Sequence, residues 1–416
     1  AYLAALMINI KPFKALRPNP GFAKQVASRP YDVLNSAEAR VEVQGNTHSF
    51  LFITKSEISM DDDINIHTQP VYDKAKENLT AFISREVLFN ENKACYYIYQ
   101  LIMNERSQTG LVCVSSVDDY NNNLIKKHEF TRPEKEQDRI NHIKTTGAQT
   151  GNVFLAYRNN ENIDTIVEKW KSNRSAAYDF VADDGIQHTI WIVNDSEVID
   201  EITNTFANQI PCTYIADGHH RAASAAKVRE ALGENATPES NYFLTTLFPS
   251  NQLQIMDYNR VVKDLNGHSV PQFLELLNNK FEVSLVGNTI VKPTAIHQFG
   301  LFVGGNWYNL VSKEGTYTND PIGILDVTIL QENIFTPILN IVDQRVDKRV
   351  DFVGGIRGLQ ELEKRVNSGE MAAAFSLYPV TINQLFDISD SGNVMPPKST
   401  WFEPKLRDGL LTHLIN

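Results

Sequence analysis

Five consecutive residues, Asp217-Gly218-His219-His220-Arg221, gather a carboxylate, two imidazoles and a guanidinium around one glycine. The stretch that holds them, PCTYIADGHHRAASAAKVRE from Pro211 to Glu230, reads as a strand, a tight turn and a helix. Cys212, Tyr214 and Ile215 form the apolar run and Asp217-Gly218 gives the turn signal; Ala222, Ala223, Ala225, Ala226 and Val228 then follow a helical pattern. The free amides of a helix's first turn, together with its dipole, favour an anion, and His219, His220 and Arg221 fall at that end. Phosphate is the expected guest. Gly218 permits a close backbone approach, Arg221 can grip two oxygens, and one of the histidines can add a donor. Asp217 can cap the helix, hold a metal or act as a base. An ordinary strand-to-helix corner with two solvated histidines would show the same local pattern.

A second group lies in KKHEFTRPEKEQDRINHIKTTG, Lys126 to Gly147. Thr131 followed by Glu134 has the capping-box spacing and Pro133 suits a first helical turn, so the sequence predicts a helix over 132–145. Asp138 and His142 then share a face, where a carboxylate can orient an imidazole, although such pairs are also common on surfaces. His128 and Glu129, in the loop before the helix, are the candidates for proton transfer, and Arg132 and Arg139 for clamping an anion. No HExxH occurs, which leaves a zinc-hydrolase reading without its motif. Near the end, MPPKSTWFEPKL gathers Lys398, Ser399, Thr400 and Lys405 in an irregular segment suited to a phosphate or carboxylate, with Lys398 as a third clamp. Val353 to Gly358, VGGIRG, is a glycine turn of the kind more often structural than phosphate-binding. Arg29, Tyr31 and Asp32 in RPYDV read as a turn wall rather than as site groups.

The elements that must position these groups alternate. HSFLFITKS reads as a strand, YDKAKENLTAFISREVLF as a helix, and CYYIYQLIM as a buried strand joined through NERSQTG to Gly110–Val117. NVFLAYR is a strand and 159–172 a helix with Trp170 on its apolar side; YDFVADDG reads as a linker. HTIWIV, the 195–207 helix, the central stretch and NYFLTTLF then alternate strand and helix, the grammar of an α/β unit. Beyond Asn266, SVPQFLELLNNKF is helical, QFGLFVGGNWYNLV a hairpin, 326–338 a helix ended by Pro337, and AAAFSLY a buried strand. The expected fold class is α/β, mixed α+β overall. It divides into a mixed region over 1–158, an α/β core over 186–263 and a second mixed region over 266–416.

At 416 residues, 42% hydrophobic and 21% charged, the chain has the composition of a folded globular protein with more than one domain. A formal charge of −11 opposes non-specific binding to nucleic acid or an anionic membrane. The N-terminal AYLAALMINIKPF is a poor signal peptide because its lysines follow the apolar run, and Met7 could be an internal start. Cys95, Cys113 and Cys212 are odd in number, far apart and set in apolar runs, which fits reduced thiols in a cytoplasm rather than disulfides or a thiolate metal site.

YIADGHHRAASAAKVRE, with the preceding SEVIDEITNTF, resembles the second box of the ParB/sulfiredoxin superfamily over about 186–263. KPFKALRP, RPYDV, IKKHEFTRPEKEQDRI, IADGHHR, YNRVVKDLN, DFVGGIRGLQELE and MPPKSTWFEPKLRDGL together resemble the family filed as domain of unknown function 1015, nearly end to end. The superfamily resemblance implies that Asp217, Gly218, His219, His220 and Arg221 form a phosphate-handling turn. It includes nucleotide switches that bind centromeres, sulfiredoxins and kinases of free serine. The kinases' acidic general base has no clear counterpart here. Ala216 and Gly218 flank Asp217 where a sulfiredoxin would carry its cysteine, which disfavours sulfiredoxin repair, and no basic helix-turn-helix supports a partition role. Two function classes follow. One is a phosphoryl-chemistry enzyme, kinase or phosphatase, acting on serine, phosphoserine or a similar metabolite with ATP or ADP and Mg2+. The other is a non-catalytic nucleotide-binding switch.

Overall fold

In the computed structural model, which describes residues 7–416, the chain forms two compact units. One comprises residues 1–253 and 404–416, the other residues 254–403. Residues 1–6, and with them the question of a leader or an internal start, lie outside the described residues. The architecture is mixed α/β, as the alternation predicts.

The first unit is built on nine strands in one sheet. They are β1 (Ile10–Lys11), β2 (Tyr96–Met103), β3 (Arg106–Ser116), β4 (Ile125–Lys126), β5 (Val153–Tyr157), β6 (Tyr178–Val181), β7 (Gln187–Val193), β8 (Thr213–Asp217) and β9 (Tyr242–Pro249). Their order is β4-β8-β5-β9-β3-β2-β7-β6, with β1 paired to β3. The continuous apolar run of β2 marks a strand covered on both faces, and its Tyr96, Tyr97, Ile98 and Tyr99 are at most 1% exposed. Each such side chain contributes about 1.5–3 kcal/mol of burial free energy. The β2–β3 connection is tighter than NERSQTG suggests: Asn104 and Glu105 take φ of 50° and 66°, the paired left-handed geometry of a two-residue hairpin.

Five helices matter for the site: α1 (Gln69–Ser84), α2 (Pro133–Thr146), α3 (Glu161–Asn173), α4 (Ser196–Gln209) and α5 (His219–Leu232). Ile163 and Trp170 of α3, Ile199, Ile202 and Phe206 of α4, and Ala222, Ala225 and Ala226 of α5 join Ile98, Leu155, Ile215 and Phe243 of the sheet in one core. The alanine face is what lets α5 lie so close to the strands. On another side, Val228 and Leu232 of α5 pack with Ile140 and Ile143 of α2.

Strand direction gathers the functional ends. β4 and β8 are parallel, Thr213 beside Ile125, whereas β8 and β5 are antiparallel. The carboxyl ends of β4 and β8 therefore meet the amino end of β5. His128 follows the first, Gly218 the second, and Gly151-Asn152 precedes the third.

The sequence divides the chain differently, into 1–158, 186–263 and 266–416. In the structure β5 separates β8 from β9, and β7 lies between β2 and β6, so strands from the first two regions share one sheet. YDFVADDG supplies β6, which pairs with β7 through Tyr178–Ile190, so it is a strand and not a linker. HSFLFITKS is likewise not a strand. It forms a short helix, Leu51–Thr54, and a 3-10 turn, Ser56–Ser59, because Phe50, Leu51 and Ile53 all face a core and none alternates to solvent.

The second unit carries a six-stranded sheet of β10 (Tyr258–Val262), β11 (Phe281–Gly287), β12 (Gln298–Val303), β13 (Asn306–Ser312), β14 (Val350–Gly354) and β15 (Ala373–Leu377), in the order β11-β13-β12-β15-β10-β14. The helix expected over 326–338 is regular only over Asp326–Leu330 and widens to π-type turns over Gln331–Phe335. Among the described residues no helix is long and apolar enough to cross a membrane.

Candidate functional site

The turn after β8 has the expected form. The register of β8 against β5 slips between Ile215 and Asp217, which re-aims the strand's end, and Gly218 takes φ 97° as the residue before α5. A side chain at Gly218 would be strained there and would stand 3.3 Å from the Arg221 guanidinium carbon. No side chain caps the helix, so its first amides are left for other partners.

His219 turns inward and meets His128. Their Nε2 atoms are 3.2 Å apart, with the rings nearly perpendicular at 87°, and both residues are buried. Burial pushes His128 down to about 4 against the pull of Asp217 and the Ile215 backbone. Burial, then the His128 ring, holds His219 well below its ordinary value. Both imidazoles are thus neutral at pH 7. The exposed Glu129 completes a group of three whose donor atoms lie within 4.8 Å of one another, an arrangement able to hold a metal ion.

Arg221 runs the other way, along the sheet. Its Nη1 donates to the Asn152 carbonyl, and its Nη2 stands 3.7 Å from Asp32 and 3.9 Å from Asp217. Gly151 makes room for it: a Cβ there would come within 2.8 Å of Arg221 Cδ. Burial alone would lower the Arg221 pKa, but Asp32, Asp217, Tyr31 and Asp408 raise it. Lys405 Nζ donates to Asp217 Oδ2 at 3.2 Å. Burial would raise Asp217, yet Lys405 and Arg221 bring it down to about 2. Asp408, 3% exposed, is pushed up to about 7 by burial despite Arg221.

A narrow cleft of about 20 Å³ lies beside this turn and is lined by Tyr31, Arg139, Thr150, Gly151 and Arg221 among others. Arg221 Nε, buried, makes no hydrogen bond to a described residue. The Arg139 guanidinium stacks 4.1 Å from the Tyr31 ring and bonds Asp138 at 2.8 and 3.0 Å. Asp138 does not orient His142. Its other oxygen accepts from Tyr72 at 2.6 Å and meets His67 at 3.0 Å, while His142 is bonded to the Ile53 carbonyl at 2.9 Å. Nor does the capping box form: Thr131 bonds the buried Glu136, which also takes Lys227, and Arg132 caps α2 without a side-chain bond.

The family model described as protein of unknown function (DUF1015) matches residues 10–328. The chain belongs to that family. No curated protein matches it. Among solved structures, a free serine kinase in complex with AMP is similar at 13% identity, over 70% of this chain and 86% of that one, with a TM-score of 0.33. A conserved hypothetical protein from Pyrococcus furiosus is similar at 14% identity, over 73% and 95%, with a TM-score of 0.32. SbnI from Staphylococcus aureus, with a C-terminal truncation, is similar at 13% identity, over 73% and 87%, with a TM-score of 0.35. Likeness at this level assigns no residue a role.

In this DUF1015 chain, then, Asp217, Gly218, His219, Arg221, His128 and Glu129 come together at one end of the sheet. His220 Nε2 accepts from the Arg132 backbone at 3.1 Å, which ties the second histidine to the amino end of α2 rather than to the cleft. The Arg132 side chain is exposed and Arg139 lines the cleft. Lys398 belongs to the second unit, where its ammonium lies 6.0 Å from the Tyr258 ring. Gly151, Asn152 and Asp408 carry no functional signal of their own in the sequence, where Tyr31 and Asp32 read as a turn wall. RPYDV and LRDGL, both in family-like motifs, were the available signals. Their meeting is made by backbone hydrogen bonds of 3.0 and 2.8 Å exchanged between Ser28 and Asp408.

Proposed function

We propose that this protein is an enzyme of phosphoryl chemistry on a small metabolite, kinase or phosphatase, with serine or phosphoserine as the first substrate to try. The reading holds the Asp217–Arg221 turn to be a phosphate element of ParB/sulfiredoxin type, with ATP or ADP and Mg2+ as partners. One observation carries it: two arginines, Arg139 and Arg221, line a narrow cleft beside the uncapped first turn of a 14-residue helix. Phosphoryl transfer asks chiefly for positioned cations and donors, which such a cleft supplies. Serine comes first because the DGHHR box resembles that of the free serine kinases. The exposed Glu129 is the proton-transfer group, its carboxylate standing beside two neutral imidazoles. A reducing cytoplasm belongs to the same reading, since Cys95 and Cys113 are buried and burial pushes their thiols up to about 11 and about 12.

The test is a phosphotransfer and phosphate-release screen of the full chain against nucleotides and phosphorylated amino acids, with and without magnesium. Turnover that falls in Glu129→Gln supports the proposal. Nucleotide binding with no turnover across the panel replaces it with the non-catalytic switch.

A further inference from the structure

Three of the cations around the turn are already engaged by carboxylates. Arg139, Arg221 and Lys405 stand 2.8, 3.7 and 3.2 Å from Asp138, Asp32 and Asp217. A phosphate bearing two charges must share these three cations with their carboxylates, so a further cation beside the turn would favour it. Immediately beside the turn, His128 and His219 present their Nε2 atoms to each other at 3.2 Å, and the Glu129 carboxylate reaches within 4.8 Å of both. Two nitrogens bound about 2.05 Å from one ion at the tetrahedral angle stand about 3.3 Å apart. A shared N–H would also hold two neutral imidazoles at this distance, and metal titration distinguishes the two.

We infer that His128, Glu129 and His219 bind a divalent transition ion of the Zn2+, Mn2+ or Fe2+ class. Two imidazoles and a carboxylate suit such ions, whereas Mg2+ prefers oxygen donors throughout. Both rings are sunk in the protein at 3% and 5% exposure, one on the loop after β4 and one on the first turn of α5, so the nitrogens are pre-positioned. Glu129 is on the surface, and its carboxylate already lies within 4.8 Å of both ring nitrogens, in reach as the third ligand. Three protein ligands leave coordination open for water or a phosphate oxygen, and the ion adds the charge that the paired arginines lack. What the ion serves rests on the phosphate reading given above; that it binds does not.

Tag-free full-length protein, stripped with chelator and titrated with Co2+ as the spectroscopic probe, should take up one equivalent. It should develop visible absorption of a nitrogen- and oxygen-ligated ion, displaced by Zn2+ and not by excess Mg2+. Losing a direct ligand should cost at least the 10- to 100-fold that outer groups cost, so His219→Gln should weaken Co2+ by more than about 100-fold and Glu129→Gln by at least about 10-fold. Glu129→Gln changes an exposed side chain and guards against a folding artefact in the histidine variant. Absence of stoichiometric binding by folded protein, or unchanged affinity in Glu129→Gln, overturns the inference. Inorganic phosphate titrated into the chelator-treated protein tests the phosphate reading separately. Phosphate bound without Co2+ uptake sinks only the metal, and Co2+ uptake without phosphate sinks only the phosphate turn.

Discussion

Replacing Arg221 tests whether the turn is a binding device, a structural clamp or both. From sequence, Arg221→Ala should weaken an anion by about 1.5–3 kcal/mol and leave the fold nearly intact, the range for a hydrogen bond to a charged group. The structure changes the second half of that expectation. Arg221 is 9% exposed, its Nη1 satisfies the Asn152 carbonyl, and truncation would leave that buried acceptor unpaired, at about 1.5–3 kcal/mol. The pairs with Asp32 and Asp217, at 3.7 and 3.9 Å with side chains 45% and 35% exposed, add at most about 1 kcal/mol each. Asp408 adds little, since it can keep its proton once the guanidinium is gone. Together Arg221→Ala should destabilise by about 1.5–5 kcal/mol. Arg221→Lys separates the roles: it retains the charge but loses the two-pronged geometry, so much of the stability should remain while phosphate affinity falls about 10- to 150-fold. Urea unfolding and phosphate calorimetry at a temperature where each variant is folded measure the two quantities. An Arg221→Ala protein with the parent urea midpoint would refute the clamp, and an Arg221→Lys protein that binds phosphate as the parent does would remove Arg221 from the binding site.

Two further expectations concern charge. Lys405→Met should let Asp217 titrate well above its present value of about 2, because burial is then opposed mainly by Arg221. Stability from the depressed carboxylate is present above its unfolded pKa and lost as pH falls through the folded one, so the variant should lose stability at a higher pH than the parent. The loss is under about 1 kcal/mol for a side chain 35% exposed, and an acid-unfolding curve superimposable on the parent's would contradict it. In the second unit the sign reverses. Burial pushes Asp326 up to about 7 although it accepts the His297 amide at 2.8 Å, so its stabilising contribution is full near pH 4 and is lost as pH rises toward 7. Asp326→Asn keeps the acceptor without the charge and should be more stable than the parent at pH 8 by up to about 4 kcal/mol, with no difference near pH 4. A pH-independent difference in unfolding free energy would show that Asp326 ionises freely.

What could be read from the sequence is what is decided locally. Asp217-Gly218 and the alanine-rich run after it specify strand, turn and helix within one short stretch, because positive φ at Gly218 and a flat small-residue face need no distant partner to be recognised. Asp138 shows where this stops. Its helical spacing to His142 points to a pair worth only about 0.2–0.5 kcal/mol on a surface, and the Tyr72 hydroxyl, the His67 ring and the Arg139 guanidinium, at 2.6–3.0 Å, outcompete it once the chain is folded. The same holds for the site's wiring. Gly151 is an unremarked glycine until Arg221 is seen to pass 2.8 Å from where its Cβ would be. Asp408 is a loop acid until its backbone bonds to Ser28 bring it beside Asp32. His128 and His219 become a pair because a two-residue strand, Ile125–Lys126, runs parallel to β8 at the edge of the sheet. So short an element has no periodicity to detect, and on it depends whether the DGHHR turn is a corner with two wet histidines or a place where donors converge.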